Sequence, residues 1–111
     1  MIRRVKLWKK YDLDKAIKDC EERKLPDEVI LYAVGSGRIK PKLGLIKKQK
    51  QAMNFIKGLD GFVGIFPQDV WHTLILFDTL NNCKRGRNLM REKGIPLGKH
   101  IVPVLVKKEL L

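Results

Sequence analysis

The chain has 111 residues, 44% of them hydrophobic, a length that fits one domain around one core. Twenty-four Lys and Arg against 12 Asp and Glu give a net charge of +12, a balance that favours polyanionic partners: nucleic acid, an anionic membrane surface or an acidic protein. The apolar content excludes a disordered chain, no apolar run approaches the roughly 20 residues that span a bilayer, and Lys6, Lys9 and Lys10 stand where a secretory signal needs an apolar stretch, so a cytoplasmic protein without membrane insertion is expected.

Residues 2–11 alternate loosely and allow a short strand, which Trp8 interrupts. Asp12 is placed to cap a helix running to about Lys24, with Leu13, Ala16, Ile17 and Cys20 as its apolar stripe, and Leu25-Pro26-Asp27 ends it. Residues 28–34 (EVILYAV) read as a strand, stopped by a Gly35-Ser36-Gly37 turn. After a basic connection, a second helix is expected from about Leu43 to Lys57. Leu45, Gln49, Ala52, Met53 and Ile56 form its inner stripe, Phe55 lies off that stripe, and Gly58 to Gly61 end it.

Residues 62–66 and 72–77 then form a hairpin across Pro67-Gln68-Asp69. Asp78 or Thr79 caps a third helix over 80–93, buried through Leu80, Cys83 and Met90, with Gly86 allowing a close approach to the sheet. Residues 101–106 are the last strand.

From residue 28 the order is strand, helix, strand, strand, helix, strand. This is the split βαββαβ arrangement of ferredoxin-like α+β folds, an antiparallel sheet here carrying an extra N-terminal helix; the competing arrangement is a three-layer unit that uses a 2–11 strand. The continuous apolar runs VILYAV and TLILF demand the two central positions, and Pro103 demands an edge, so the expected strand order is 4-1-3-2. Both faces of the first strand are apolar. Either the 12–24 helix covers the face left open by the other two helices, or a second copy of the chain does, leaving a monomer or a homodimer.

No catalytic constellation stands out. His72 opens a strand with no nucleophile or carboxylate pair placed for it, and the acidic residues of 12–28 lie among lysines on a solvated helix. Cys20 and Cys83 form no CxxC and lie near neither His72 nor His100, so they read as core residues, with no metal and no cofactor implied. Gly35-Ser36-Gly37-Arg38 lacks the spacing of a phosphate-binding loop and reads as a plain turn. The layout resembles acylphosphatases without the residues of their anion loop. It also resembles RNA-recognition motifs, but residues 70–77 lack their basic, glycine and aromatic positions, and only Tyr32 would suit stacking on the sheet.

The cations are better organised. Arg38, Lys40, Lys42, Lys47, Lys48, Lys50, Lys57, Lys84, Arg85, Arg87, Arg91 and Lys93 occupy 38–57 and 84–93, against the single acid Glu92. Helical spacing turns Lys47, Lys50, Gln51, Asn54, Arg85 and Asn88 outward, with Lys84 and Arg91 flanking them. Arg87 turns toward the core, where Asp78 is its nearest candidate partner. Arg38, Lys40, Lys42, Lys47, Lys50, Asn54, Lys84, Arg85, Asn88 and Arg91 are therefore the candidate contacts for DNA or RNA, cations for phosphate and amides for sugar or base edges.

The stretch LFDTLNNCKRGRNLMREKGI, 76–95, resembles small uncharacterised ferredoxin-like proteins of Gram-positive mobile elements and phages. The resemblance covers about a fifth of the chain and implies a cytoplasmic accessory protein of such an element, without naming an activity. The expected function is non-enzymatic nucleic-acid binding through a basic helical face. The alternative is a protein-binding module, an inhibitor or assembly factor, docking through an apolar patch or a strand edge; an enzyme ranks third.

Overall fold

The computed structural model of the chain describes residues 11–37, 46–67, 72–95 and 97–111. Among them three α-helices and four strands follow in the order α1 (Leu13–Arg23), β1 (Glu28–Gly37), α2 (Ile46–Lys57), β2 (Phe62–Pro67), β3 (His72–Phe77), α3 (Leu80–Glu92) and β4 (Leu97–Lys107), with a closing 3-10 turn at Lys108–Leu110. The expected 2–11 strand and the 38–45 and 68–71 connections lie outside the described residues.

The sheet is antiparallel throughout, in the order β2-β3-β1-β4. This is the ferredoxin-like α+β arrangement with an added N-terminal helix, and the order matches the one read from the apolar runs. β1 and β3 are central. β4, carrying Pro103, is an edge, and Pro103 sits opposite Tyr32 with no N–H to lose from a ladder.

Sequence chemistry accounts for the helix ends. Asp12 is extended, and its Oδ1 accepts the Lys15 N–H at 3.2 Å; Thr79 Oγ1 accepts the Asn82 N–H at 3.1 Å. Past α3, Gly94 takes a φ of 78°, the left-handed conformation of a helix C-terminus, and its N–H donates to the Arg91 carbonyl. Gly86 lies against the fully buried Phe77, where a Cβ would come within 2.6 Å of the ring.

One core cluster lies between the sheet and the helices: Val34, Ile75, Phe77 and Ile101 from the strands, Ile56 from α2, and Cys83 and Met90 from α3. The opposite sheet face carries a second cluster of Leu31, Ala33, Leu74, Leu76, Val104 and Val106. α1 does not cover that second face. It packs along β4, its Leu13 joins the first cluster, and the buried Cys20 thiol lies 3.9 Å from the Pro103 carbonyl. The stripe Leu13, Ala16, Cys20 is narrow and built of small residues. That shape suits the margin of a sheet better than a broad apolar face.

Gly35-Ser36-Gly37 is a second departure from the sequence reading. The tripeptide is no turn. It continues β1, pairing with Leu74, Thr73 and His72 of β3. On the other side the β1–β4 register shifts between Val34 and Ser36, and Gly98 approaches so closely that a Cβ there would lie 3.2 Å from the Gly35 carbonyl oxygen. The close approach thus constrains position 98 of β4, while a Cβ at Gly35 would meet nothing within 4 Å; β1 simply runs on through an irregular step of the ladder.

Candidate nucleic-acid interface

Tyr32 belongs to the face beneath the helices, and Leu76 and Val106 of the other face have no solvent exposure. Much of the exposed charge among the described residues belongs to the helices.

α2 and α3 pack over the same core cluster, so they form one layer. α2 carries Lys47, Lys48, Lys50 and Lys57 and no acid. α3 carries Lys84, Arg85, Arg87 and Arg91 against Glu92. α1 is mixed, with Asp14, Asp19, Glu21 and Glu22 against Lys15, Lys18 and Arg23. Helix energetics do not explain the difference. The positive end of a helix dipole favours an acid in the first turn, as Asp14 provides in α1. The first turn of α2 holds Lys47 and Lys48 instead, and neither α2 nor α3 has an acid there.

The exposed residues follow the helical period. Gln51, Asn54 and Lys57 of α2 are exposed, with Lys47 and Lys50 one turn earlier in the same helix. On α3, Lys84, Arg85, Asn88 and Arg91 are exposed, opposite the buried Cys83, Gly86 and Met90. The candidate contacts Arg38, Lys40 and Lys42 lie outside the described residues.

Arg85 is partly immobilised. Its Nη2 donates to Asn82 Oδ1 at 2.7 Å, and Asn82 Nδ2 donates to Asp78 Oδ1 at 2.9 Å. A guanidinium held on one edge keeps its remaining donors free and loses less rotamer entropy when it meets an anion. The expected Arg87–Asp78 pair does not form; Asp78 Oδ1 accepts from Asn82 instead. Arg87 is instead half-buried, its Nε has no hydrogen-bond partner, and it stays off the exposed surface as its helical position requires. Its charge partly offsets the burial that pushes the Cys83 thiol up to about 12.

Sequence reasoning missed a contact between the two helices' surroundings. Phe55 is half-buried against the first core cluster, and the Lys93 ammonium stands 5.3 Å above its ring centroid. Phe55, Ala52, Gln51, Lys93 and Ile95 line a cleft of about 420 Å³ beside α2. Phe55's place off the apolar stripe was the one signal available; the approach of Lys93 comes from tertiary structure. Both cysteines are buried and unpaired, and no group of His, Cys, Asp and Glu among the described residues is arranged to hold a metal ion. No described helix is long and apolar enough to cross a membrane. No family profile, curated protein or solved structure matches the chain.

Proposed function

We propose that the chain is a nucleic-acid-binding accessory protein that meets phosphates with the exposed side of α2 and α3. The observation that carries this reading is the segregation of charge. The cations gather on two helices of one layer, at positions where helix stability alone would favour some acids, while α1 on the same sheet is mixed. A protein-binding module is the second reading. Its support is the exposure of Leu25, Leu110 and Leu111 near the hydrogen bond from the Lys108 N–H to the Asp27 carbonyl.

The test compares two charge-reversed proteins of equal net charge by fluorescence polarisation on labelled duplex and single-stranded DNA and RNA. In one, Lys47, Lys50, Arg85 and Arg91 become Glu. In the other, the exposed Lys15, Lys18, Lys24 and Lys108 become Glu. The first should lose binding and the second should retain most of it. Equal losses would reduce the attraction to unspecific net charge. Absence of wild-type binding to every probe at moderate salt would reject the nucleic-acid reading in favour of a protein partner.

A further inference from the structure

The cleft beside α2 has a composition that phosphate binding alone does not require. Its floor is aromatic and aliphatic, from Phe55, Ala52 and Ile95, and its rim is polar, from Gln51 and Lys93. Its volume of about 420 Å³ falls within the roughly 300–1,000 Å³ of small-molecule sites. One face of the Phe55 ring is reachable from outside, because the Lys93 ammonium already stands over it. Gln51 and Lys93 are exposed, so neither is committed to the core.

We propose that this cleft receives one unpaired nucleobase of a single-stranded nucleic acid. The inference rests on the nucleic-acid reading and adds to it a strand preference. The base stacks on the outer face of Phe55. Lys93 swings from the ring to the adjoining phosphate, and the Gln51 amide, with a donor and an acceptor, serves the base edge. The exchange is favourable because stacking on an aromatic ring outweighs an exposed cation–π contact, and the displaced ammonium gains a full negative charge. The occupant follows from charge: the cleft lies in a layer whose described helices α2 and α3 are rich in cations, which suits a polyanion that also presents apolar rings. An apolar peptide side chain would fill the floor equally well but would leave the cations unanswered.

The experiment uses the full chain and two probes of equal phosphate number: a dodecamer of thymidines and the same strand with abasic sites throughout. The wild type should bind the thymidine strand about fivefold to a hundredfold more tightly, the range of one stacked base. Phe55→Leu should erase most of that difference while leaving the abasic affinity and the salt slope unchanged. Lys93→Ala, at an exposed position, should weaken both probes alike and flatten the slope by about 0.7 on a logarithmic scale, one phosphate contact on a single strand. Gln51→Ala provides a second exposed variant, insensitive to core packing, and should narrow the difference between probes. Equal wild-type affinity for the two probes would overturn the base site while leaving phosphate binding intact. Failure to bind either probe at low salt would instead remove the nucleic-acid reading on which the site depends.

Discussion

Two glycines of α3 and its cap have opposite requirements. Gly94 needs its left-handed φ of 78° and has open space where a side chain would go, whereas Gly86 sits in ordinary helix and lacks the space. Alanine in a helix interior normally gains about 1 kcal/mol over glycine. At Gly86 that gain is outweighed, because the new Cβ would stand 2.6 Å from two atoms of the Phe77 ring, which is fully buried and meets Phe62 edge-on. Gly86→Ala should therefore lose about 1–2 kcal/mol in urea unfolding, and the loss should shrink in a Phe77→Leu background. An unchanged midpoint in Gly86→Ala would contradict this packing.

A second residue-scale prediction concerns Cys83. Burial pushes its thiol from 9 to about 12, with Arg87 partly opposing the shift. The unfolded chain sheds that proton from about pH 9 upward, while the folded chain keeps it. The thiol's contribution to stability is thus complete below pH 9 and is lost as pH climbs toward 12. Tyr11 adds a second such group, raised from 10 to about 12 by burial and by nearby Cys20. Stability measured by urea unfolding should fall between pH 9 and 11, and less steeply in Cys83→Ala, one group accounting for at most about 1.4 kcal/mol per pH unit. Identical slopes in the two proteins would show that Cys83 does not hold its proton through folding.

At the scale of elements, α1 is an appendage on β4 and not a lid on the sheet. Ala16 and Cys20 are its buried residues, at 4% and 6% exposure. Ala16→Glu places a carboxylate in that seam and should cost about 2 kcal/mol. Hydrogen exchange should quicken across α1 while β1 and β3 stay protected; uniform acceleration would show that α1 is integral to the core.

The same scale shows what could be read in advance. The strand order was legible because VILYAV and TLILF are apolar on both faces and Pro103 excludes a central ladder. Helix caps were legible because Asp12 and Thr79 act on neighbours three residues away. The direction in which α1 docks was not, since a stripe of Leu13, Ala16 and Cys20 specifies contact without specifying against what. Nor was the strand character of Gly35-Ser36-Gly37, whose poor intrinsic propensity is overridden by pairing with Leu74, Thr73 and His72. The exposure of Asn54, Lys84, Arg85, Asn88 and Arg91 was legible as helical spacing; the cleft at Phe55 was not, because Lys93 reaches it only in the folded chain.

For the whole molecule, net charge and its placement make separable demands. A charge of +12 raises encounter rates with any polyanion, and that general field weakens beyond the Debye length of about 8 Å at physiological salt. Contacts made directly by α2 and α3 would persist as a salt slope of about −0.9 per phosphate on a duplex and about −0.7 on a single strand. The charge-reversed pair should therefore differ in slope as well as in affinity. Lowering the control protein's charge by the same amount should slow association while leaving most of the slope.

The central position of β1 also governs how the chain reaches its native state. β1 is among the first strands to be made, yet its two partners are β3 and β4, and Glu28 waits for Lys107. Such non-local pairing closes large loops before β1 gains a ladder, which slows the search. On the ribosome, one edge of this apolar strand waits for β3 and the other stays unfilled until β4 has emerged. Any nascent chain halted before β4 therefore presents the open side of a sticky strand to its neighbours.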